Sequence, residues 1–201
     1  MNADLLMGER EKAAQTGDLM LRFFREQPDL NIGIYNYYHP DLGYLTDIDH
    51  ENSFERIFAR VGWKQPFANL GFLLIGLARL YEATGKKESL DGCLEIMDFL
   101  IENHREDLIA HAQNHKIGYA AAILYRITEN AEYIHIASEI AGRLSGNIGK
   151  YGRAWADVVS PDLDSQPYYT SVRMTADAVL WLRQIFDLCE SLSLSGDQSK
   201  K

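Results

Sequence analysis

His111 and His115 stand four residues apart in the stretch His111-Ala112-Gln113-Asn114-His115-Lys116, so on a helix they share one face. Such a pair can begin a zinc site, but zinc needs further ligands. No HExxH pattern and no nearby cysteine supplies them, so no metal is expected. A histidine titrates near neutral pH, and His115 is read instead as a general acid or base. Arg173 and Asp177 are also four apart, as are Tyr169 and Arg173. An inward Arg173 would clamp a carboxylate or phosphate through two parallel N–H bonds. An outward one would form an ordinary surface pair with Asp177. Tyr35, Tyr37, Tyr38, Tyr44, Trp63, Trp155, Tyr168 and Tyr169 fall mostly in connections. There they would either wall a hydrophobic cavity, offering π faces to a cation, or plug the open end of a helical array.

The chain that must position these groups has 201 residues, with 20 basic against 29 acidic side chains and a net charge of −9. Hydrophobic residues make up 46% and charged residues 24%, which excludes a disordered or collagen-like chain. The acidic balance argues against a general nucleic-acid binder, whose phosphate contacts need clustered Lys and Arg. The length suits one domain, taken as 1–190, followed by a disordered tail at 191–201 rich in Ser, Gly and Lys. Cys93 and Cys189 lie far apart in apolar stretches and are read as free thiols in a reducing compartment, the cytoplasm. The start lacks a basic segment followed by an apolar one, so no signal peptide is expected. The longest apolar run, over 67–78, contains Asn69 and ends at Arg79. That is too short for a membrane span of about 20 residues.

Apolar periodicity predicts a mostly helical chain. A first helix covers 4–25, with Leu19, Met20, Phe23 and Phe24 on its apolar face, and Gln27-Pro28 stops it. Residues 30–52 break the helical pattern. They form a short irregular Tyr/Gly-rich segment, read as a hairpin around His39-Pro40-Asp41. Ser53 is read as the cap of a short helix through 60. Paired helices follow at 66–83 and 88–103, then at 114–127 and 131–144. A Gly-bearing connection over 146–166 leads to a last helix at 171–188.

The two pairs repeat. Leu80-Tyr81-Glu82-Ala83-Thr84 aligns with Leu124-Tyr125-Arg126-Ile127-Thr128 at an offset of 124 − 80 = 44. The same offset sets Glu88 on Glu132, Glu95 on Glu139, Ile96 on Ile140 and Leu100 on Leu144 without a gap. A repeat of this length means one helical hairpin per unit, stacked on the next. HEAT or armadillo solenoids have units of this size, and so do α/α toroids.

These strings, with Gly85 after Thr84, resemble the LY..TG...Y...A hairpin signature of α/α-toroid enzymes. That superfamily includes terpenoid cyclase-like and six-hairpin glycosidase-like proteins. The resemblance covers 18–185 and marks fold rather than reaction. It implies an all-α fold of helical hairpin repeats forming a partial α/α toroid, because a complete toroid carries about twice the hairpins this chain has room for. It also implies a bowl lined by the first helix of each pair, the last helix and the loops before them. Those loops hold Trp63-Lys64-Gln65-Pro66-Phe67-Ala68-Asn69, His111 to Lys116, and Tyr168 to Arg173. On this reading His115, Tyr119 and Arg173 are catalytic candidates. Gln65, Asn69, Trp63, Tyr37, Trp155 and Tyr169 bind substrate. The plainer alternative makes these groups ordinary helix caps.

Departures from the superfamily's motifs limit the chemistry. The chain lacks the DxDD motif of class II terpenoid cyclases, of which Asp162-Leu163-Asp164-Ser165 is at most a partial echo. It also lacks DDxxD, a Walker loop, GxGxxG and GxSxG, and no cofactor is expected. The leading reading is a cyclase or isomerase that folds an apolar, carbonyl- or acid-bearing substrate in an aromatic-lined bowl. A carbohydrate-active hydrolase, lyase or epimerase is the second reading, with two carboxylates across the scissile bond. A non-catalytic helical-repeat binding module is the third. The expected partners are a hydrophobic or carbohydrate small molecule and a second copy of the chain in a homodimer.

Overall fold

The computed structural model describes residues 1–47, 57–59, 67–152, 154 and 168–198. Among them seven helices carry the fold: α1 (Asn2–Leu6), α2 (Arg10–Arg25), α3 (Ala68–Thr84), α4 (Lys87–Ala110), α5 (His115–Thr128), α6 (Ala131–Tyr151) and α7 (Tyr168–Gln198). A 3-10 turn at Ala112–Asn114 precedes α5. The chain is mostly helical, as its periodicity predicts. Among the described residues no helix is long and apolar enough to cross a membrane.

The single helix expected over 4–25 is broken at Gly8, whose φ of +80° a helix cannot accommodate. Ala13, Gly17, Leu21 and Phe24 form the buried face of α2, while Leu19 is 64% exposed. Small residues, rather than Leu19, let α2 approach α3: a Cβ on Gly17 would lie 2.6 Å from Leu80 Cδ2.

Among the described residues four short strands follow: β1 (Gly33–Tyr35), β2 (Tyr38–His39), β3 (Gly43–Tyr44) and β4 (Ile57–Ala59). The hairpin around His39-Pro40-Asp41 is present, with Tyr38 opposite Tyr44. β1 pairs instead with β4, antiparallel, Gly33 opposite Ala59 and Tyr35 opposite Ile57. The helix expected through residue 60 is therefore a strand at its described end. So short a helix is marginal by itself, and the backbone of β1 requires hydrogen-bond partners.

α3 and α4 are joined by two residues, as are α5 and α6, and each forms a helical hairpin. α3 packs on α5, α5 packs on α7, and α4 lies against α6. The two hairpin turns match atom for atom. The amides of Gly85 (φ +70°) and Glu129 (φ +58°) each donate 2.7 Å bonds, to the carbonyls of Tyr81 and Tyr125. Thr84 and Thr128 each bond the carbonyl four residues back and accept from the amide two residues on. α4 runs past 103 to Ala110 through a kink at His104 (φ −140°). Asn103 Nδ2 donates to the Phe99 carbonyl there (2.8 Å), and the His104 ring packs 4.7 Å from Phe67. α6 extends past 144 to Tyr151 and stops at Gly152 (φ +69°). α7 begins before 171 and continues to Gln198, through the start of the tail expected from 191.

α5 is the central helix, and its residues from His115 to Leu124 are all buried. Ala120, Ala121 and Ala122 keep its girth small enough for α3, α6 and α7 to close around it.

Glu129 holds a left-handed conformation that costs a non-glycine residue about 1–2 kcal/mol, where its counterpart is Gly85. Glu129→Gly should therefore raise stability by about 0.5–1 kcal/mol, or roughly 1–4 °C in Tm. Gly85→Ala should lower it by a similar amount. Thermal unfolding by circular dichroism checks both; two shifts of the same sign would refute the matched-turn account.

Candidate functional site

The start of α5 is built by its own polar residues. His111 Nδ1 accepts from the Gln113 amide (3.2 Å) and caps the 3-10 turn. Asn114 Nδ2 donates to the Asp107 carbonyl (3.0 Å), tying the end of α4 to the start of α5. α3 then crosses α5 at Gly71, where a Cβ would meet Lys116 Cβ at 2.7 Å and the Ile117 amide nitrogen at 2.9 Å. That crossing buries Lys116, leaving 9% of its side chain exposed.

The Lys116 ammonium donates to Asp177 Oδ2 (2.9 Å) and lies 2.9 Å from His115 Nε2. It also lies over the rings of Phe72 (5.1 Å) and Trp181 (5.8 Å). His115 Nε2 thus stands between an ammonium and a carboxylate, and its role as acceptor or donor follows its protonation state. Asp177 Oδ2 lies 3.1 Å from the same nitrogen. Its other oxygen, Oδ1, accepts from the Trp181 indole N–H (3.0 Å). Partial burial pushes the Asp177 carboxyl up. The Lys116 hydrogen bond and charge, then His115 and the Trp181 donor, outweigh it and hold the carboxyl below its ordinary value.

Trp181 carries this cluster to a cleft of about 530 Å³ between α1, α3, α5 and α7. Its walls are mainly apolar, with Leu5, Leu6, Ile75 and Ala83 beside Trp181. Tyr119, one turn after His115, packs 5.4 Å from the Trp181 ring and lines the cleft. Its hydroxyl accepts from Arg79 Nη2 (2.5 Å), and the guanidinium sits 5.9 Å from its ring centroid. Arg79 Nη1 donates to Glu82 (3.1 Å), which also pairs with Arg126. A second hollow of about 310 Å³ shares Tyr119 and Gln184 with the first.

His115 and Tyr119 thus stand together, as their spacing predicts. His115 has no exposed side-chain surface and abuts Trp181 at 6.2 Å. Arg173, one turn before Asp177, is exposed; the cations at the site are Lys116 and Arg79. Asn69 is exposed in the first turn of α3. Tyr37 is 46% exposed beside a hairpin that packs on α2. There Tyr44 bonds the Phe23 carbonyl, and its ring meets Phe23 and Tyr38, each at 5.2 Å. Tyr169 lies in the first turn of α7, its side chain outside the description. Trp63, Gln65 and Trp155 lie outside the described residues.

Arg79, Glu82 and Trp181 were not anticipated as site residues. The available signal was Arg79 itself, a charge closing the apolar run over 67–78. No family model matches this chain, and neither a curated protein nor a solved structure matches it.

Asp177→Asn removes the counter-charge of a buried ammonium and should cost about 1–3 kcal/mol, toward the low end because a third of the Asp177 side chain is exposed. The folded carboxyl titrates below its ordinary 3.8. Its contribution is therefore complete above that value and is lost as pH falls through the lowered one. Urea midpoints measured across acid pH should show the gap between wild type and variant closing below pH 3.8. A gap that widened there would contradict the ion-pair assignment.

Proposed function

We propose that this chain is a small-molecule enzyme of the cyclase or isomerase kind. It takes an apolar, carbonyl- or acid-bearing substrate into the cleft between α1, α3, α5 and α7. We read the fold as a partial α/α toroid of helical hairpin repeats with α3, α5 and α7 as its inner helices. The ungapped offset of 44, the matched turns and the packing of those three helices support that reading.

The observation that carries the function is the Arg79–Tyr119 pair in an otherwise apolar wall. A hydroxyl oxygen that accepts from a guanidinium has its own O–H proton directed elsewhere. Tyr119 would give that proton, or a strong hydrogen bond, to a substrate oxygen, while Arg79 steadies negative charge developing on the phenol oxygen. The apolar walls would hold a flexible substrate in a reactive fold, and such orientation alone removes several kcal/mol of barrier. The Trp181 face would lie against any cation formed on the way.

The first test is extraction of the purified protein and mass spectrometry of what it releases. A hydrophobic carbonyl compound or acid is expected; a saccharide would shift the assignment to a carbohydrate-active enzyme. Tyr119→Phe should then lower turnover of that compound at least about tenfold with Tm unchanged. Full activity in Tyr119→Phe would sink the assigned role.

We also read the protein as a homodimer that completes the arc. Val172, Val179 and Phe186 stand seven residues apart on α7 and are about half exposed, so one stripe of the helix is apolar and open, as interfaces are. Sedimentation should show a dimer at micromolar concentration, and a monomer alone would refute it. Cys93 and Cys189 are both free thiols, which supports placing the protein in a reducing, cytoplasmic compartment.

A further inference from the structure

The charges around the cleft do not balance. Glu82 is shared by Arg79 and Arg126, so two guanidiniums face one carboxylate, a surplus of 2 − 1 = +1. The neighbouring acids are already matched: Asp4 by the Met1 ammonium (2.8 Å) and Asp187 by Arg183 (2.7 Å). The Lys116–Asp177 pair closes at zero. Among the described residues, the Arg79–Glu82–Arg126 network beside the apolar cleft thus carries a net positive charge in a protein whose total is −9, with Arg79 and Glu82 as its members in the cleft wall. Of the five N–H donors of Arg79, one goes to Tyr119 and one to Glu82. The others have no acceptor among the described residues.

We propose that the cleft selects an amphiphilic monocarboxylate, its apolar body against Ile75, Leu5 and Trp181 and its carboxylate on Arg79 and the Tyr119 hydroxyl. This names the substrate class of the site proposed above and rests on that reading. A single surplus charge matches a carboxylate better than a phosphate monoester, which carries about −1.5 to −2 at neutral pH. Guanidinium–carboxylate bonds are charge-assisted and stronger than neutral ones, and the apolar wall limits the water that would compete for them. The cleft volume of about 530 Å³ lies within the usual range for small-molecule sites, roughly 300–1,000 Å³.

The experiment is isothermal titration of the full chain with decanoate, methyl decanoate and decyl phosphate, repeated on Arg79→Gln. Wild type should bind decanoate at least about tenfold tighter than the ester. Arg79→Gln should erase that preference. Equal binding of acid and ester, or a preference that survives in Arg79→Gln, overturns the carboxylate assignment and leaves the cleft reading standing. Tighter binding of decyl phosphate overturns it in favour of another anion. Failure of every probe overturns both this assignment and the cleft reading. The acid–ester comparison in wild type needs no variant, so it decides even if Arg79→Gln fails to fold.

Discussion

A buried ammonium needs a counter-charge, and the packing around α5 follows from that need. Removing an ion from water costs several kcal/mol unless it is paired and hydrogen-bonded. Lys116 is driven inward because α3 crosses α5 at Gly71, directly against the Lys116 backbone and Cβ. The nearest answer in sequence would be a helix neighbour, yet the partner is Asp177, 61 residues away on α7. The bond sets the rotation of α7 about its own axis. The other Asp177 oxygen then fixes the Trp181 indole, and the Trp181 ring becomes a wall of the cleft beside Tyr119. One glycine, one ion pair and one indole N–H thus connect helix packing to the shape of the site.

The parts of the fold legible in the sequence are those set by local rules. α3 to α6 were visible because their apolar residues recur at helical spacing and because Thr84-Gly85 and Thr128-Glu129 mark turns. Their ends were less legible. α4 does not stop at 103 because Asn103 and His104 bend it without ending it, and α6 continues to the left-handed Gly152. The strand at 57–59 was hidden because its partner is β1, more than twenty residues earlier. A long-range pairing leaves no periodic trace in so short a segment.

The site divides along the same line. His115 and Tyr119 share a face of one helix, so spacing alone joined them. Arg79 and Trp181 join Tyr119 only because three helices pack together. No spacing within α3 or α7 could reveal that. Arg173 stands in an i, i+4 relation to Asp177 that the sequence shows directly. Asp177 is held by Lys116 of α5, which only packing brings near, and by Trp181 one turn on.

Two polar clusters meet on neighbouring turns of α5, and their different completeness separates their roles. In the first, an ammonium, a carboxylate, an imidazole and an indole N–H satisfy one another around Asp177. Its members are committed mainly to one another, and the cluster's effect is to hold α5, α7 and Trp181 in register. In the second, the Arg79 guanidinium and the Tyr119 hydroxyl are held in place but only partly used, at the edge of an apolar space. A closed network rigidifies, whereas an open one has interaction energy in reserve. The reserved donors are already oriented by Glu82 and by the Tyr119 ring, so on the proposed reading a substrate would meet them with little reorganisation.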